Sequence, residues 1–440
     1  MQIIYYFHRL RRQFRKLRGD ERGQVAVIFT LALLPVVGLT GGAIDYTHAS
    51  ATKAAMQAAL DATALIVSKE ATSLTTSQIS QKATDYFIGA FNRPDAQNVS
   101  VTATYSTTAG SSIVLTSTGE VKSHFLGILG INEITISATT RTKWGNKRLR
   151  VALALDVTGS MASSSKLTTL KTATKNLINQ LKSVVTTDGD VYISIIPFSK
   201  DVSVGSGYAS ASWVRWDLWD AKNGTCTGYS SWSEPKSKSS CLSNNGTWTV
   251  ADHSTWNGCI TDRDQDYDTT NAAPSTSNTA TMFPAEQYSS CPAALMALSK
   301  DWTALTQKVE ELQPSGNTNQ TIGLQWAFQS LTTDSPLAVP AKDSKYQYED
   351  AIILLTDGVN TENRFSTSQT SIDQRMESAC TNVKNAGITM YTVLVMAGNA
   401  TLLKNCASDY TKYFALTSAD QMITAFNTIG TSLTKLRIAQ

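Results

Sequence analysis

Hydrophobic and polar positions along this 440-residue chain change rhythm several times. From Gly23 to Ile44, GQVAVIFTLALLPVVGLTGGAI, 22 residues run without a charge. As a helix at about 1.5 Å per residue this stretch is about 33 Å long, enough for a hydrocarbon core. Next comes an alanine-rich stretch, Asp45–Ala71, in which Ala51, Ala54, Ala55, Ala58, Ala59 and Ala62 recur at steps of three and four. That spacing predicts a helix continuing the first one, with a small-residue face that packs either on its own domain or on a partner helix. Residues 76–91 also read as helical. Alternation then takes over: VSVTATYS (Val99–Ser106), SIVLTSTGEV (Ser112–Val121) and EITISATTRT (Glu133–Thr142) predict three strands. TTAGS is the first turn, and SHFLGILGI is a short helix before the third strand. A long helix laid on a small antiparallel sheet is a compact α+β module.

Beyond Leu149 the strands become continuous apolar runs, the pattern of strands covered on both faces. They are LRVALALD, DVYISIIPFS, AIILLTDG, ITMYTVLVM and the short KYFAL. Helical patterns separate them at about 166–185, 295–312, 320–331, 371–385 and 419–435. Alternating strands and helices predict an α/β fold, a doubly wound and mostly parallel sheet with helices on both faces. One stretch, about 200–292, lacks periodicity. It carries four of the six cysteines and six of the nine tryptophans: Trp213, Trp216, Trp219, Trp232, Trp248 and Trp256. A loop that long requires a functional or stapled explanation. It reads as a disulfide-held insertion, its tryptophans forming either a small core or an exposed contact surface. The organisation expected is thus a basic segment (1–22), a transmembrane helix (23–44), a helix plus α+β module (45–147) and an α/β domain (148–440) with the insertion at about 200–292.

Composition and charge refine this picture. Hydrophobic residues make up 42% and charged residues 17%, so the chain can bury sizeable cores while drawing its polarity from Ser, Thr and Asn. The net charge of +3 comes from the first 22 residues, which hold seven basic and two acidic side chains; the remainder has 31 basic and 33 acidic. Such a distribution excludes a nucleic-acid-binding surface and marks a basic anchor. Arg9, Arg11, Arg12, Arg15, Lys16, Arg18 and Arg22 precede the apolar run, so the positive-inside rule puts the N-terminus in the cytoplasm and the rest outside. A cleaved secretory signal is the rival reading; the run exceeds the usual apolar region of about 7–15 residues, and TGGAID is a poor cleavage site. No Cys-x-x-Cys pair occurs and the four histidines are scattered, which argues against a zinc site. An even number of extracytoplasmic cysteines suggests disulfides. By proximity alone these are Cys226–Cys241, Cys259–Cys291 and Cys380–Cys406.

Candidate chemistry gathers at strand ends. In an open α/β sheet ligands sit at the carboxyl ends of the parallel strands. LALDVTGSM ends a buried strand with Asp156, followed by Thr158 and Ser160. LLTDG ends another with Asp357, and Thr318 in GNTNQTIGL opens a helix after a loop. Two carboxylates and three hydroxyls are hard oxygen donors, suited to Mg²⁺ or Mn²⁺. No P-loop, G-x-S-x-G elbow or H-E-x-x-H motif is present, and an aspartyl-phosphate motif would require an acid at position 158. The chain reads as a non-enzyme.

The set Asp156, Thr158, Ser160, Thr318 and Asp357 resembles the metal-ion-dependent adhesion site of von Willebrand factor A domains, with threonine where that family usually has its first serine. The resemblance covers about 148–440. It implies that the hydroxyls bind the ion directly, that the aspartates act mostly through water, and that a partner carboxylate completes the coordination. Residues 22–69 resemble the TadE/TadG-like segment of Flp (Tad) pilus assembly proteins, and the whole chain is similar to TadG-like members of that group. Prepilins of this broad system carry a glutamate soon after their processing site; here Gln24 to Ile28 hold no acid, so the expectation is a retained anchor. Two functions stay open. One is a non-catalytic assembly or secretion component in the inner membrane, its adhesion-type domain in the periplasm and binding other pilus components. The other is a surface adhesin using the same metal.

Overall fold

The computed structural model describes residues 22–71, 74–106, 111–144, 147–333, 336–343 and 346–438. The basic residues before Arg22 and most of the TTAGS turn lie outside the described residues. Two compact units meet in sequence between Trp144 and Gly145.

In the first unit the apolar run and the alanine-rich stretch form one helix, α1 (Arg22–Glu70), with Pro35 inside it. Among the described residues it is the one helix long and apolar enough to cross a membrane. Its later turns lie on an antiparallel sheet, β1 (Ala96–Ser106), β2 (Ser111–Lys122) and β3 (Glu133–Trp144), in the order β1-β2-β3. Helix α2 (Thr76–Ala90) starts at a capping box in which Thr75 and Gln78 satisfy each other's backbone N–H groups. Of the alanine stripe, α1 buries Ala59 and half-buries Ala55, and larger residues fill the rest of its buried face. Met56, Leu60, Ala64 and Val67 pack against Ile113, Leu115, Ile136, Ile79 and Phe87, while Ala51, Ala54, Ala58 and Ala62 are exposed. Burying Met, Leu and Val removes more apolar surface from water than burying alanine, and that difference sets the rotation of the helix.

The second unit is the α/β domain. Its central strands are β4 (Lys147–Asp156), β5 (Val191–Phe198), β13 (Gln347–Thr356), β14 (Thr389–Val395) and β15 (Tyr413–Leu416). They lie parallel in the order β15-β14-β13-β4-β5. Both faces of β4 are covered, which explains its unbroken apolar run. Leu149, Val151, Leu153 and Leu155 pack with α3 (Lys166–Ser183), α6 (Trp302–Glu310) and α10 (Gln421–Ile438). Ala152 and Ala154 face α7 (Gln320–Leu331), α8 (Gln369–Asn385) and α9 (Ala400–Cys406). Small residues on that side admit α7, whose Gly323 comes so near that an added Cβ would lie 2.4 Å from the Phe198 ring.

Residues 295–312 are not one helix. Met296–Ser299 form an edge strand, β12, antiparallel to β5, and α6 begins only after Asp301, whose carboxylate accepts from the N–H groups of Thr303 and Ala304. An edge strand of four residues is too short for alternation to declare itself, and the following cap restarts the helical pattern.

The insertion is also more regular than its sequence suggests. Strands β6 (Val202–Ser203), β10 (Cys259–Ile260), β11 (Phe283–Glu286) and β7 (Val214–Arg215) extend the main sheet beyond β5. Two short helices, α4 (Asp217–Asp220) and α5 (Lys238–Ser243), also belong to the insertion, and a separate hairpin pairs β8 (Gly224–Thr227) with β9 (Thr247–Val250). Disulfides join Cys226–Cys241, Cys259–Cys291 and Cys380–Cys406, the last linking α8 to α9. The tryptophans form neither a separate core nor a continuous exposed surface. Trp219 and Trp256 are buried in the main cluster, with Trp213 and Trp216 packed against it, whereas Trp232 is 98% exposed.

Candidate functional site

The sheet order places β4 and β13 side by side, with the chain continuing outward from each in opposite directions. This is the switch point at which open α/β sheets leave a crevice beyond the strand ends. Asp156 is the last residue of β4 and Asp357 follows the last residue of β13, so register alone brings both acids to that crevice. Between β4 and α3 the chain makes a short 3₁₀ turn, Gly159–Ala162, that carries Ser160.

The side chains there form one hydrogen-bonded chain. Asp156 is fully buried; its Oδ1 accepts from the Thr158 N–H at 2.8 Å and its Oδ2 from the Thr356 hydroxyl at 2.6 Å. Thr158 Oγ1 lies 3.0 Å from Ser160 Oγ, and that hydroxyl donates to Asp357 Oδ1 at 2.5 Å. Ser160 is exposed, whereas Thr158 and Asp357 are buried, so the cluster opens to solvent on the Ser160 side. Thr318 reaches the same rim through backbone stitching. Gly159 N–H donates to Gly316 C=O at 3.0 Å, Ser315 N–H to Val157 C=O at 2.8 Å, and Thr318 N–H to the Thr361 hydroxyl at 2.8 Å. Thr361 N–H returns a bond to Thr318 C=O at 2.9 Å.

Two residues escaped the sequence reading. Lys166, at the start of α3, places its ammonium 2.6 Å from Asp357 Oδ2 and 3.3 Å from the Ser160 carbonyl, in a buried position. It is delivered by two consecutive left-handed serines, Ser164 (φ 55°) and Ser165 (φ 57°). Left-handed backbone at non-glycine residues costs of order 1–3 kcal/mol each and concentrates at functional sites. Thr356 is the second. Its position just before the strand-end acid is the one signal that marked it, and only the β4–β13 register shows that its hydroxyl serves Asp156.

The insertion supports the rim from behind. Asp262 is buried and accepts two bonds from Asn319 Nδ2, at 2.9 and 3.0 Å, and one from Arg364 N–H at 3.0 Å. It thereby clamps the residue after Thr318 to the loop after Asp357. Gln320 N–H donates to Asn360 Oδ1 at 2.8 Å, tying the start of α7 to that same loop. Beside it lies a polar pocket of about 430 Å³ whose lining includes Lys200, Trp219, Lys222, Glu286, Glu362 and Arg364.

The electrostatics suit a cation. Burial, and next the charge of Asp357, push Asp156 up to about 6 against the hydrogen bonds it receives. Two acids at one crevice, Asp357 paired with the Lys166 ammonium and the hydroxyls of Thr158 and Ser160 beside them, make a hard-oxygen donor set of the kind a divalent ion takes. Among the described residues no group of three or more His, Cys, Asp or Glu side chains forms a metal cage, so any ion here would depend on the hydroxyl ligands.

Residues 23–69 match the family model described as Flp pilus-assembly TadE/G-like, and residues 270–428 match that of the von Willebrand factor type A domain. The second match includes Thr318 and Asp357; it begins within the insertion and so leaves out Asp156, Thr158 and Ser160. Comparison with curated proteins finds no match. Solved structures similar to this chain include the pilus adhesin SpaC from Lactobacillus rhamnosus GG, at 14% identity over 78% of this chain and 35% of that one, TM-score 0.39. The von Willebrand domain of the type V pili tip protein Mfa5 from Porphyromonas gingivalis is 12% identical over 68% and 98%, TM-score 0.37. Proximal thread matrix protein 1 from the mussel byssus, with a zinc-occupied adhesion motif, is 13% identical over 66% and 46%, TM-score 0.33. The chain spans about a third to a half of the length of the adhesin and the byssus protein. The fold, the strand order and the two family matches agree: this chain joins a TadE/G-like segment to a C-terminal von Willebrand factor type A domain.

Proposed function

We propose that the protein is a membrane-anchored, non-catalytic component of Flp (Tad) pilus assembly that binds a protein partner through a divalent ion. Helix α1 is the anchor, with the N-terminus cytoplasmic and the remainder across the inner membrane. Asp156, Thr158, Ser160, Thr318 and Asp357 hold Mg²⁺ or Mn²⁺. When bound, such an ion supplies a Lewis-acidic position for a carboxylate of the partner. The chain's own residues orient that position: Thr356 and the Thr158 N–H fix Asp156, and Ser160 stands at the open side. The observation that carries the reading is the hydrogen-bonded run from Asp156 through Thr158 and Ser160 to Asp357 at the sheet's switch point.

The test uses the full chain in detergent, titrated calorimetrically with Mg²⁺ and Mn²⁺, and co-purification of pilus components from membranes with and without chelator. Saturable heat and chelator-sensitive co-purification are expected, both lost in Asp156→Ala. A flat titration, or partner capture indifferent to chelator, overturns the reading.

A further inference from the structure

The loop between β2 and β3 carries seven uncharged residues, Phe125 to Ile131, that the α+β module does not need for its own core. Ile128 is 67% exposed, Leu129 60%, Ile131 49% and Phe125 37%. Apolar side chains gathered in this way on a small module mark a contact surface.

Its position shows what it contacts. The loop lies against the last turns of the apolar part of α1. A Cβ at Gly41 would lie 2.4 Å from Phe125, one at Gly42 3.0 Å from Leu126, and one at Gly38 3.5 Å from Leu129. Glycines at these positions let loop and helix touch. On the same stretch of α1, Leu39 is 77% and Ile44 57% exposed, so exposed apolar side chains of the helix flank the side that meets the loop. Gly38 lies seven residues before Asp45, about 10 Å along the helix axis, inside the uncharged run.

The backbone is prepared for a medium with little water. The N–H groups of His124, Phe125 and Leu126 all donate to the buried Asp45 carboxylate, at 3.0, 2.8 and 2.8 Å. Those of Ser123, Ile128, Gly130 and Ile131 donate to Asn132, Phe125, Gly127 and Leu126. Gly130 makes the closing turn at φ 87°. Non-helical backbone is tolerated near hydrocarbon only when its polar groups are satisfied within the protein. The carboxylate charge of Asp45, the first after the apolar run, is met by these three N–H donors at the point where the bilayer surface would fall.

We infer that Phe125, Ile128, Leu129 and Ile131 insert into the lipid bilayer beside α1, giving the anchor a second foothold in the leaflet where the helix emerges. The inference rests on the reading of α1 as a membrane span. A lipid surface, rather than a second copy of the chain, is favoured by the continuity of the loop with the helix's own lipid-facing side.

All six cysteines are paired in disulfides, so an introduced thiol can be labelled selectively. Ile128→Cys and Leu129→Cys, each carrying a nitroxide, are compared in reconstituted vesicles with Leu31→Cys on the span and Ser77→Cys on the exposed side of α2. Accessibility to oxygen relative to a water-soluble nickel chelate is expected to be several-fold higher at positions 128 and 129 than at 77, and close to that at 31. Values at 128 and 129 equal to that at 77, with 31 in lipid, overturn the loop insertion and leave the anchor standing. An aqueous value at 31 overturns the anchor itself. Protection of 128 and 129 from both reagents, with spin–spin broadening, overturns lipid insertion in favour of contact between copies.

Discussion

Replacing Thr356 with valine tests whether Asp156 is held as the geometry indicates. The two side chains have the same shape, so the change creates no cavity and isolates the hydroxyl. That hydroxyl donates to Asp156 Oδ2 at 2.6 Å, and neither residue is exposed to solvent. A buried hydrogen bond to a charged group contributes about 1.5–3 kcal/mol, and its loss leaves the carboxylate oxygen unsatisfied where no water reaches it. Removing the donor also pushes Asp156 further in the direction that burial already takes it. The metal-free protein should therefore lose about 2 kcal/mol, and its melting midpoint should fall by about 4–8 °C. Affinity for Mg²⁺ should drop by about tenfold to a hundredfold, the usual cost of freeing a metal-site carboxylate from its support. Urea unfolding followed by tryptophan fluorescence in chelator gives the first quantity, and calorimetry gives the second. Thr356→Ser should retain most of both. A valine variant with parental midpoint and parental affinity would refute the claim that Thr356 positions Asp156.

Other outcomes follow from neighbouring features. Lys166→Met removes an ammonium that shares Asp357 with any bound cation, so Mg²⁺ affinity measured by calorimetry should rise about tenfold, while Lys166→Arg stays near the parent. Gly323→Ala drives a methyl group into the Phe198 ring and should cost about 1–3 kcal/mol in urea unfolding; a neutral result would mean that α7 shifts freely. Burial pushes Asp262 up to about 6 from an unfolded value of about 3.9. Its neutral carboxyl therefore adds stability that is complete below about pH 3.9 and lost as pH rises through 6. Asp262→Asn should gain about 2–3 kcal/mol relative to the parent between pH 4 and pH 7, whereas parallel stability curves would contradict the assignment.

What could be read from the sequence depended on how local each signal was. The continuous apolar runs of β4 and β13 announced strands covered on both faces, and Asp156 and Asp357 declared themselves because each stands at the end of one. Helix α7, capped in the structure by the Asn319 side chain, has the limits read from the sequence, Gln320–Leu331. Lys166 lacked any such mark: a lysine opening an amphipathic helix reads as solvated, and only the fold of the preceding serines turns it inward. Strands β6, β7 and β10 are two residues each, and their pairing is decided by partners far along the chain rather than by periodicity. The alanine stripe of α1 announced a helix without fixing its buried face, since small residues repeat conspicuously while the larger ones between them mostly decide which face packs on the sheet.

The unbroken course of α1 has a mechanical consequence. At about 1.5 Å per residue its 49 residues make a rod of about 74 Å, and the same rod that carries the apolar stretch also forms one layer of the first unit. Because no loop separates those two roles, a tilt, roll or pull imposed on the first half is handed on to the sheet, with Pro35 and the Gly41–Gly42 pair as the places where the rod can bend. A helix shared in this way couples whatever holds its first half to the sheet packed on its second, much as a drive shaft does.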